Sequence, residues 1–213
     1  MRMPDVLTSV DAILEPVRCA LLVVDMQHDF VHPDGWVARH DQGSPSLRRV
    51  IPVINRLISA ARAAGVRVCY LTMEHGPEVD APNYRARYAL RGMEADVLCA
   101  AGTWGAGLDA ELAPPAAGDL RIVRHSYDGF ARTALDARLR SDGRETVVDS
   151  GVVTNLCVQT TVQHAFALGY YAVVAEDGTA AASDAVQAVT LDNFRQFFGA
   201  VLAGVAIIRY WQR

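Results

Sequence analysis

The chain has 213 residues and carries 20 Lys and Arg against 24 Asp and Glu, so its formal net charge is −4. A chain of this length and composition can bury a substantial core, which excludes disorder and a coiled coil. Basic residues never form a run longer than a pair, and no apolar stretch approaches the roughly 20 residues of a membrane span. We therefore expect one cytoplasmic domain over residues 1–213 that binds a small molecule, with no nucleic acid and no membrane as partner.

Six short apolar runs rich in Val, Ile and Leu recur along the chain. They are continuous rather than alternating, which is typical of strands buried on both faces of a parallel sheet. The predicted strands lie at 20–24, 66–71, 120–123, 146–148, 170–175 and 205–208.

Helical patterns separate these strands. The clearest spans Leu47 to Ala61 with Gly65 as its stop, and Pro52 predicts that this helix starts late or bends early. Others are predicted at 133–141, 154–168 and 183–198. The alternation predicts an α/β fold with three layers, in which a mostly parallel six-stranded sheet carries helices on both faces.

Residues 73–118 interrupt this alternation. The segment is too long for an ordinary connection, so we expect a lid or subunit interface with short helices near 84–90 and 108–112. Its apolar side chains exceed what one monomer usually exposes, which predicts a homodimer or homotetramer. Those side chains are Tyr84, Tyr88, Leu90 and Trp104.

Three side chains of complementary chemistry follow predicted strands: Asp25, Arg124 and Cys157. In an open parallel sheet the ligand crevice lies at the carboxyl ends of the strands, so we expect them to meet there. Thr154 is a suitable N-cap, which would place Cys157 in the first helical turn and lower the pKa of its thiol. Each residue taken singly also fits a structural role: a turn cap, a salt bridge or a buried thiol.

Competing motifs are missing or misplaced. The first strand is followed by Asp25 to Phe30 rather than by a glycine-rich dinucleotide loop, and no Gly-x-Ser-x-Gly elbow occurs. His28 and His32 have the spacing of a zinc pair on a helix, but Pro33 predicts a turn there. Cys19, Cys69, Cys99 and Cys157 lack Cys-x-x-Cys spacing and are expected to be reduced.

Three segments resemble the isochorismatase-like cysteine hydrolases: LLVVDMQHDF (21–30), VRHSYDGFARTALDARLRSDG (123–143) and GVVTNLCVQTTVQHAFALGYYAVVAEDGTA (151–180). The segment 102–118 and the ending at 192–199 are most similar to the ureidoacrylate amidohydrolase branch. The resemblance implies a Rossmann-like strand order and an acid, lysine and cysteine triad, with Asp25 as acid and Cys157 as nucleophile. Arg124 stands at the lysine position, and Asp128 replaces a small residue.

The resemblance also implies a cis peptide between Val152 and Val153, and an oxyanion hole formed by the backbone N–H groups of Val153 and Cys157. Nicotinamidases in this family hold a metal after the second strand, but the Asp-Trp-His-Pro-like stretch is missing here, so we expect neither metal nor cofactor. The expected pocket wall consists of Gln27, Phe30, Trp36, Glu74, His75, Tyr84 and Tyr127.

The function implied is cysteine-dependent hydrolysis of a small carboxamide or ureide through a thioester. Two alternatives stay open. An isochorismatase-type vinyl ether hydrolase would use Asp25 without a thiol, and a degenerate binding scaffold could have lost turnover with the change to Arg124.

Overall fold

The computed structural model describes residues 6–42, 44–93 and 96–213, and its centre is a parallel sheet of six strands. The strands lie side by side in the order β3-β2-β1-β4-β5-β6, and every neighbouring pair is parallel. Their bounds are β1 Cys19–Val24, β2 Arg67–Met73, β3 Leu120–Arg124, β4 Thr146–Val152, β5 Tyr171–Ala180 and β6 Gly199–Leu202. The predicted α/β fold and its parallel sheet are confirmed.

The last predicted strand is wrong. Residues 205–208 lie in a helix, Gly204–Trp211, and the sixth strand is Gly199–Leu202. A four-residue apolar run cannot distinguish a strand from one buried side of a helix. In this helix Ile207 and Trp211, four positions apart, are the buried side chains, as helical periodicity requires.

Ten α-helices occur in the described residues: α1 Val10–Ile13, α2 His28–Val31, α3 Trp36–Arg39, α4 Ser44–Arg48, α5 Ile51–Ala64, α6 Pro82–Ala89, α7 Leu135–Ser141, α8 Gln159–Ala167, α9 Asp184–Phe197 and α10 Gly204–Trp211. α5 begins one residue before Pro52 and ends at Gly65, as predicted. Right-handed crossovers place α5 on one face of the sheet and α7, α8 and α9 on the other. No described helix is long and apolar enough to cross a membrane.

The excursion between β2 and β3 folds over the carboxyl edge of the sheet. α6 forms close to the predicted position, but the helix expected at 108–112 does not; a 3₁₀ turn, Trp104–Ala106, precedes that stretch instead. Tyr84 and Tyr88 are buried, whereas Leu90 and Trp104 are exposed. Residues 94 and 95 of the excursion lie outside the described residues. Self-association stays a prediction.

Gly151 sets how closely β1 and β4 approach at this edge. Its φ is +108°, in the region that favours glycine, and a Cβ there would lie 2.0 Å from the Val24 carbonyl oxygen. The β4–β5 register shifts between Asp149 and Gly151. The end of β4 can therefore bring the loop beyond it next to the end of β1 only if this position has no side chain.

Gly151→Ala should destabilise the fold by more than about 3 kcal/mol, because backbone strain and a backbone clash add together. Gly169→Ala is the matched control, since Gly169 also has positive φ, +89°, but open space around its Cβ position. That variant should lose about 1 kcal/mol. Urea unfolding measures both free energies, and equal losses would contradict the close-approach argument.

Candidate active site

A cavity of about 310 Å³ opens at the carboxyl edge of the sheet, where the strand order reverses between β1 and β4. Ligands of open α/β sheets bind at such a reversal. Its wall is mostly apolar and aromatic, and it includes Cys157 of the predicted triad. The lining residues are Phe30, Trp36, Val37, Gln42, Arg87, Tyr88, Leu98, Tyr127, Val153, Asn155, Leu156, Cys157 and Ala182.

Asp25 occupies the turn that directly follows β1. Its φ is +52°, a left-handed conformation that aspartate tolerates better than most residues, and its N–H donates to the Leu71 carbonyl at 2.9 Å. The side chain is completely buried. One hydrogen bond to β2 and one uncommon backbone conformation thus fix where this carboxylate lies.

Arg124 ends β3 and reaches Asp25 across the intervening strand. Its Nη2 donates to Asp25 Oδ2 in a short ion pair, and its Nη1 donates to the Ser126 carbonyl. Both charged side chains are inaccessible to solvent. Oδ1 of Asp25 accepts no hydrogen bond from another described group. The pair therefore leaves one carboxylate oxygen uncommitted beside the cavity.

The two charges shift one another's titration. Burial raises the pKa of Asp25, and the Arg124 guanidinium offsets only part of that rise. Burial opposes the charge on Arg124, but Asp25 and Cys157 more than compensate, so the pKa of Arg124 lies above its ordinary value. Arg124 therefore stays charged, while Asp25 is a stronger base than an exposed aspartate.

Cys157 lies in a single π-helical turn, Thr154–Val158, that leads into α8. Such turns are frequent at functional sites. The predicted N-cap is wrong: Val153 precedes the turn, and the Thr154 hydroxyl is buried with no hydrogen-bond partner among the described atoms. The turn that contains Cys157 is π-helical, not the regular first turn of an α-helix that the sequence predicts.

The expected low thiol pKa is also wrong. Burial raises the pKa of Cys157, the neighbouring Asp25 carboxylate raises it further, and Arg124 lowers it only in part. Burial also raises the pKa of Cys19 and of Cys69 to about 12. What sets Cys157 apart is its place on the cavity wall beside a carboxylate, since all four cysteines are buried and free.

The peptide bond between Val152 and Val153 is cis. Val153 lines the cavity together with Cys157.

Asp128, the second departure from the family pattern, accepts from the Phe130 N–H at 2.8 Å and from His164 Nδ1 of α8 at 2.6 Å. Its partner on α8 explains why a carboxylate is accommodated at this position.

Three of the predicted wall residues line the cavity: Phe30, Trp36 and Tyr127. Gln27, Glu74, His75 and Tyr84 do not, which corrects those four predictions. The buried Gln27 side chain forms hydrogen bonds with the backbone of Met73 and Ala106. Tyr84 packs against Tyr127, with ring centres 5.6 Å apart.

His75 and Glu74 serve elsewhere. Buried His75 pairs with Asp80 at 2.7 Å and lines a separate cavity of about 710 Å³ beneath α6. Half-buried Glu74 accepts a hydrogen bond from His125 Nδ1 through its carbonyl rather than its carboxylate. Both residues directly follow β2, as predicted, but neither lines the cavity that contains the thiol.

Arg87 of α6 lines the cavity, although the sequence pattern does not mark it as a site residue. Nothing in the local pattern separates it from Arg85 or Arg91, because only the path of the excursion decides which arginine faces Cys157. The described residues contain no group of three or more His, Cys, Asp or Glu side chains that could hold a metal ion.

Comparisons with known proteins identify the family of this chain. The Isochorismatase domain model matches residues 19–204. A ureidoacrylate amidohydrolase of Yersinia enterocolitica is 36% identical over 192 residues, which cover 84% of this chain and 83% of that protein. A second protein of that description, from Rhizobium rhizogenes, is 34% identical over 200 residues, covering 87% and 80%.

Two solved structures extend the likeness. A cysteine hydrolase from Pseudomonas syringae pv. phaseolicola superposes with a TM-score of 0.82 at 30% identity, covering 92% of this chain and 93% of the other. The N-carbamoylsarcosine amidase of Thermoplasma acidophilum gives 0.74 at 31% identity, covering 88% and 96%. With the family model spanning nearly the whole sheet, the chain belongs to the isochorismatase family of hydrolases.

Proposed function

We propose that the chain is a cysteine-dependent amidohydrolase that cleaves the C–N bond of a small carboxamide or ureide through a thioester. The observation that carries this proposal is the Cys157 thiol on a cavity wall beside the buried Asp25–Arg124 ion pair. The relatives described as ureidoacrylate amidohydrolases and as an N-carbamoylsarcosine amidase support the same bond type.

In the first half-reaction, Asp25 takes the proton of the Cys157 thiol through its uncommitted Oδ1, and the thiolate attacks the substrate carbonyl carbon. The backbone N–H groups of Val153 and Cys157 are assigned to the resulting oxyanion. The C–N bond then breaks, and the leaving nitrogen takes the proton from Asp25, so ammonia or an amine departs and a thioester remains.

In the second half-reaction, Asp25 removes a proton from water, and the resulting hydroxide attacks the thioester carbonyl. The C–S bond breaks, the carboxylate or carbamate product forms, and the proton on Asp25 returns to the Cys157 sulfur. The raised pKa of Asp25 suits a group that must both accept and donate this proton near neutral pH.

Arg124 supplies a fixed positive charge in this scheme. It holds Asp25 in place and lowers the energy of the neighbouring thiolate, but a guanidinium does not transfer protons at neutral pH. Asp25 and the Ser126 carbonyl accept hydrogen bonds from its two Nη groups, whereas its Nε is buried with no acceptor among the described atoms. The buried ion pair favours a working site over a degenerate scaffold, and the cavity-lining thiol favours an amidase over a vinyl ether hydrolase.

Wild-type protein should release ammonia from at least one member of a panel of small amides and ureides, and Cys157→Ala should abolish that release. Iodoacetamide should label Cys157 first, because it alone among the cysteines lines this cavity. Peptide mapping identifies the labelled thiol. Cys69→Ala is the control and should keep its turnover; faster labelling of Cys69 or Cys99 would reject Cys157 as nucleophile.

Arg124→Met should reduce turnover by more than about 100-fold, because Asp25 would lose its buried counter-charge and be protonated at neutral pH. It should also cost about 3–5 kcal/mol of stability. Arg124→Lys keeps the charge and should retain turnover within about tenfold.

The double variant Asp25→Asn/Arg124→Met removes both charges. It should recover part of the lost stability and none of the turnover, which separates the structural from the chemical role of Arg124. Ammonia release and thermal unfolding are measured on all three variants. Unchanged turnover in Arg124→Met would contradict the proposed triad.

The pH profile should follow Asp25, since the active form needs its carboxylate and a protonated thiol. Burial raises the pKa of Asp25 above its ordinary value of 3.8, so kcat/KM should fall on acidification with a midpoint above that value. The raised pKa of Cys157 keeps its thiol protonated on the alkaline side. Unfolding measured over the same pH range excludes acid denaturation, and a midpoint at or below 3.8 would argue against Asp25 as the base.

A further inference from the structure

Arg87 brings a positive charge to the wall of the Cys157 cavity from α6. Its guanidinium carbon lies 4.7 Å from the ring centre of Tyr88, 5.0 Å from that of Tyr84 and 5.7 Å from that of Tyr127. Contacts of a guanidinium with aromatic faces are favourable and limit its motion. The three tyrosines therefore hold the cation in one place without neutralising it.

The hydrogen-bonding capacity of Arg87 is largely unused. Its Nη2 donates one long hydrogen bond, 3.4 Å, to the Tyr84 hydroxyl, and its Nε is buried with no acceptor among the described atoms. A guanidinium has five N–H donors. The Nε of Arg62, Arg124 and Arg144 is also buried without an acceptor, so what distinguishes Arg87 is its pair of Nη groups, for which the described atoms supply only this long hydrogen bond. These Nη groups can bind an acceptor that the chain does not supply.

Other partly buried arginines have acceptors within the chain: Arg18, Arg48, Arg62 and Arg67 pair with carboxylates, and Arg144 donates to backbone carbonyls. Arg48 pairs with Asp109 at 2.6 Å, and Arg62 pairs with Asp119 at 2.6 Å. Arg87 has no such ion pair in the part of the chain that the structure describes. Arg87 differs from these arginines in its location, because it lines the Cys157 cavity.

The charges around the cavity leave Arg87 unbalanced. The described wall contains no Asp or Glu. Behind it, Asp25 and Arg124 neutralise one another, and burial raises the pKa of the neighbouring Cys157 thiol, which favours its uncharged form. The cavity therefore carries a net positive charge, on the α6 side of Tyr127.

We propose that Arg87 is a specificity-determining residue that binds a carboxylate of the substrate. This inference rests on the proposed function and names its substrate class: small amides or ureides that carry a carboxylate remote from the bond to be cleaved. The planar guanidinium can bind a carboxylate through two parallel hydrogen bonds, which would orient the substrate. Tyr127, which lies between Arg87 and Cys157 on the wall, would separate the carboxylate from the reacting carbonyl.

The test uses matched ligands and a background without the nucleophile. Binding of ureidoacetate and of hydroxyethylurea, which differ by a carboxylate and a hydroxymethyl group, is measured by calorimetry on Cys157→Ala, and ureidopropionate extends the comparison to a longer acid. At least one acid should bind more tightly than hydroxyethylurea. Adding Arg87→Met to Cys157→Ala should lower the affinity for that acid by about 10- to 100-fold. The affinity for the neutral urea should change by less than about threefold.

Arg85→Met is the matched control, because Arg85 lies on the same helix and lines the other cavity. It should leave the affinity for the acid unchanged. Thermal unfolding of both variants checks that α6 still packs, and Arg87→Lys should restore part of the affinity for the acid through its charge.

Two results would overturn the inference: neither acid binds better than hydroxyethylurea, or Arg87→Met weakens acid and neutral urea alike. Failure of the proposed function is distinguishable, because binding is measured without turnover. Selective binding of an acid that wild-type protein does not hydrolyse would support the role of Arg87 and count against the hydrolytic scheme.

Discussion

The ion pair between Asp25 and Arg124 is the constraint on which this site depends. Both groups are fully withdrawn from water, and charges in that position are tolerated only when each satisfies the other. Removing either one would leave an uncompensated buried charge. The same ion pair therefore determines both where the two side chains lie and whether they are charged. The pair anchors the ends of two strands to each other and, by the same contact, holds the carboxylate next to the thiol.

Strand order explains why a long cation is needed. Arg124 ends β3, Asp25 follows β1, and β2 runs between them. Two strand spacings amount to about 9.5 Å, which few side chains can span with a charge at the far end. Lysine and arginine satisfy that reach, and arginine adds a second donor that the Ser126 carbonyl accepts.

The thiol arrives from the other side of the strand-order reversal. β4 lies beside β1, and Gly151 lets its backbone approach Val24 more closely than any side chain would allow. The π-helical turn then places Cys157 over Asp25. Asp25, Arg124 and Cys157 meet because the carboxyl ends of parallel strands lie at one edge of the sheet. Gly151 permits this meeting, because a side chain at that position would clash with the backbone of β1.

The parallel sheet and the meeting of Asp25, Arg124 and Cys157 could be predicted from the sequence because both depend on local patterns. Continuous apolar runs mark buried strands, and reactive residues immediately after them must lie at one edge. The final strand could not be separated from α10, because its apolar run is four residues long. Four of the seven predicted wall residues do not line the cavity. For Gln27 and His75 the reason is that they have backbone or carboxylate partners that only the folded excursion supplies.

The thiol pKa was misjudged for a related reason. A cysteine near a helix start with a cation nearby is typical of a lowered pKa, but that argument leaves out burial, which here acts more strongly than Arg124. Burial depends on the whole excursion that closes over the cavity. Arg87 was missed for the same reason, since its role depends on which face of α6 meets the cavity.

Arginine at position 124 limits which groups of this site can transfer a proton. Asp25 and Cys157 keep the pKa of Arg124 above its ordinary value despite burial, so the guanidinium never becomes a proton donor near neutral pH. In the mechanism that we propose, a single proton then passes between Cys157, Asp25 and the leaving nitrogen. With a lysine the proton could also reside on the cation, whereas in the proposed scheme the raised pKa of Asp25 suits one carboxylate for every proton transfer.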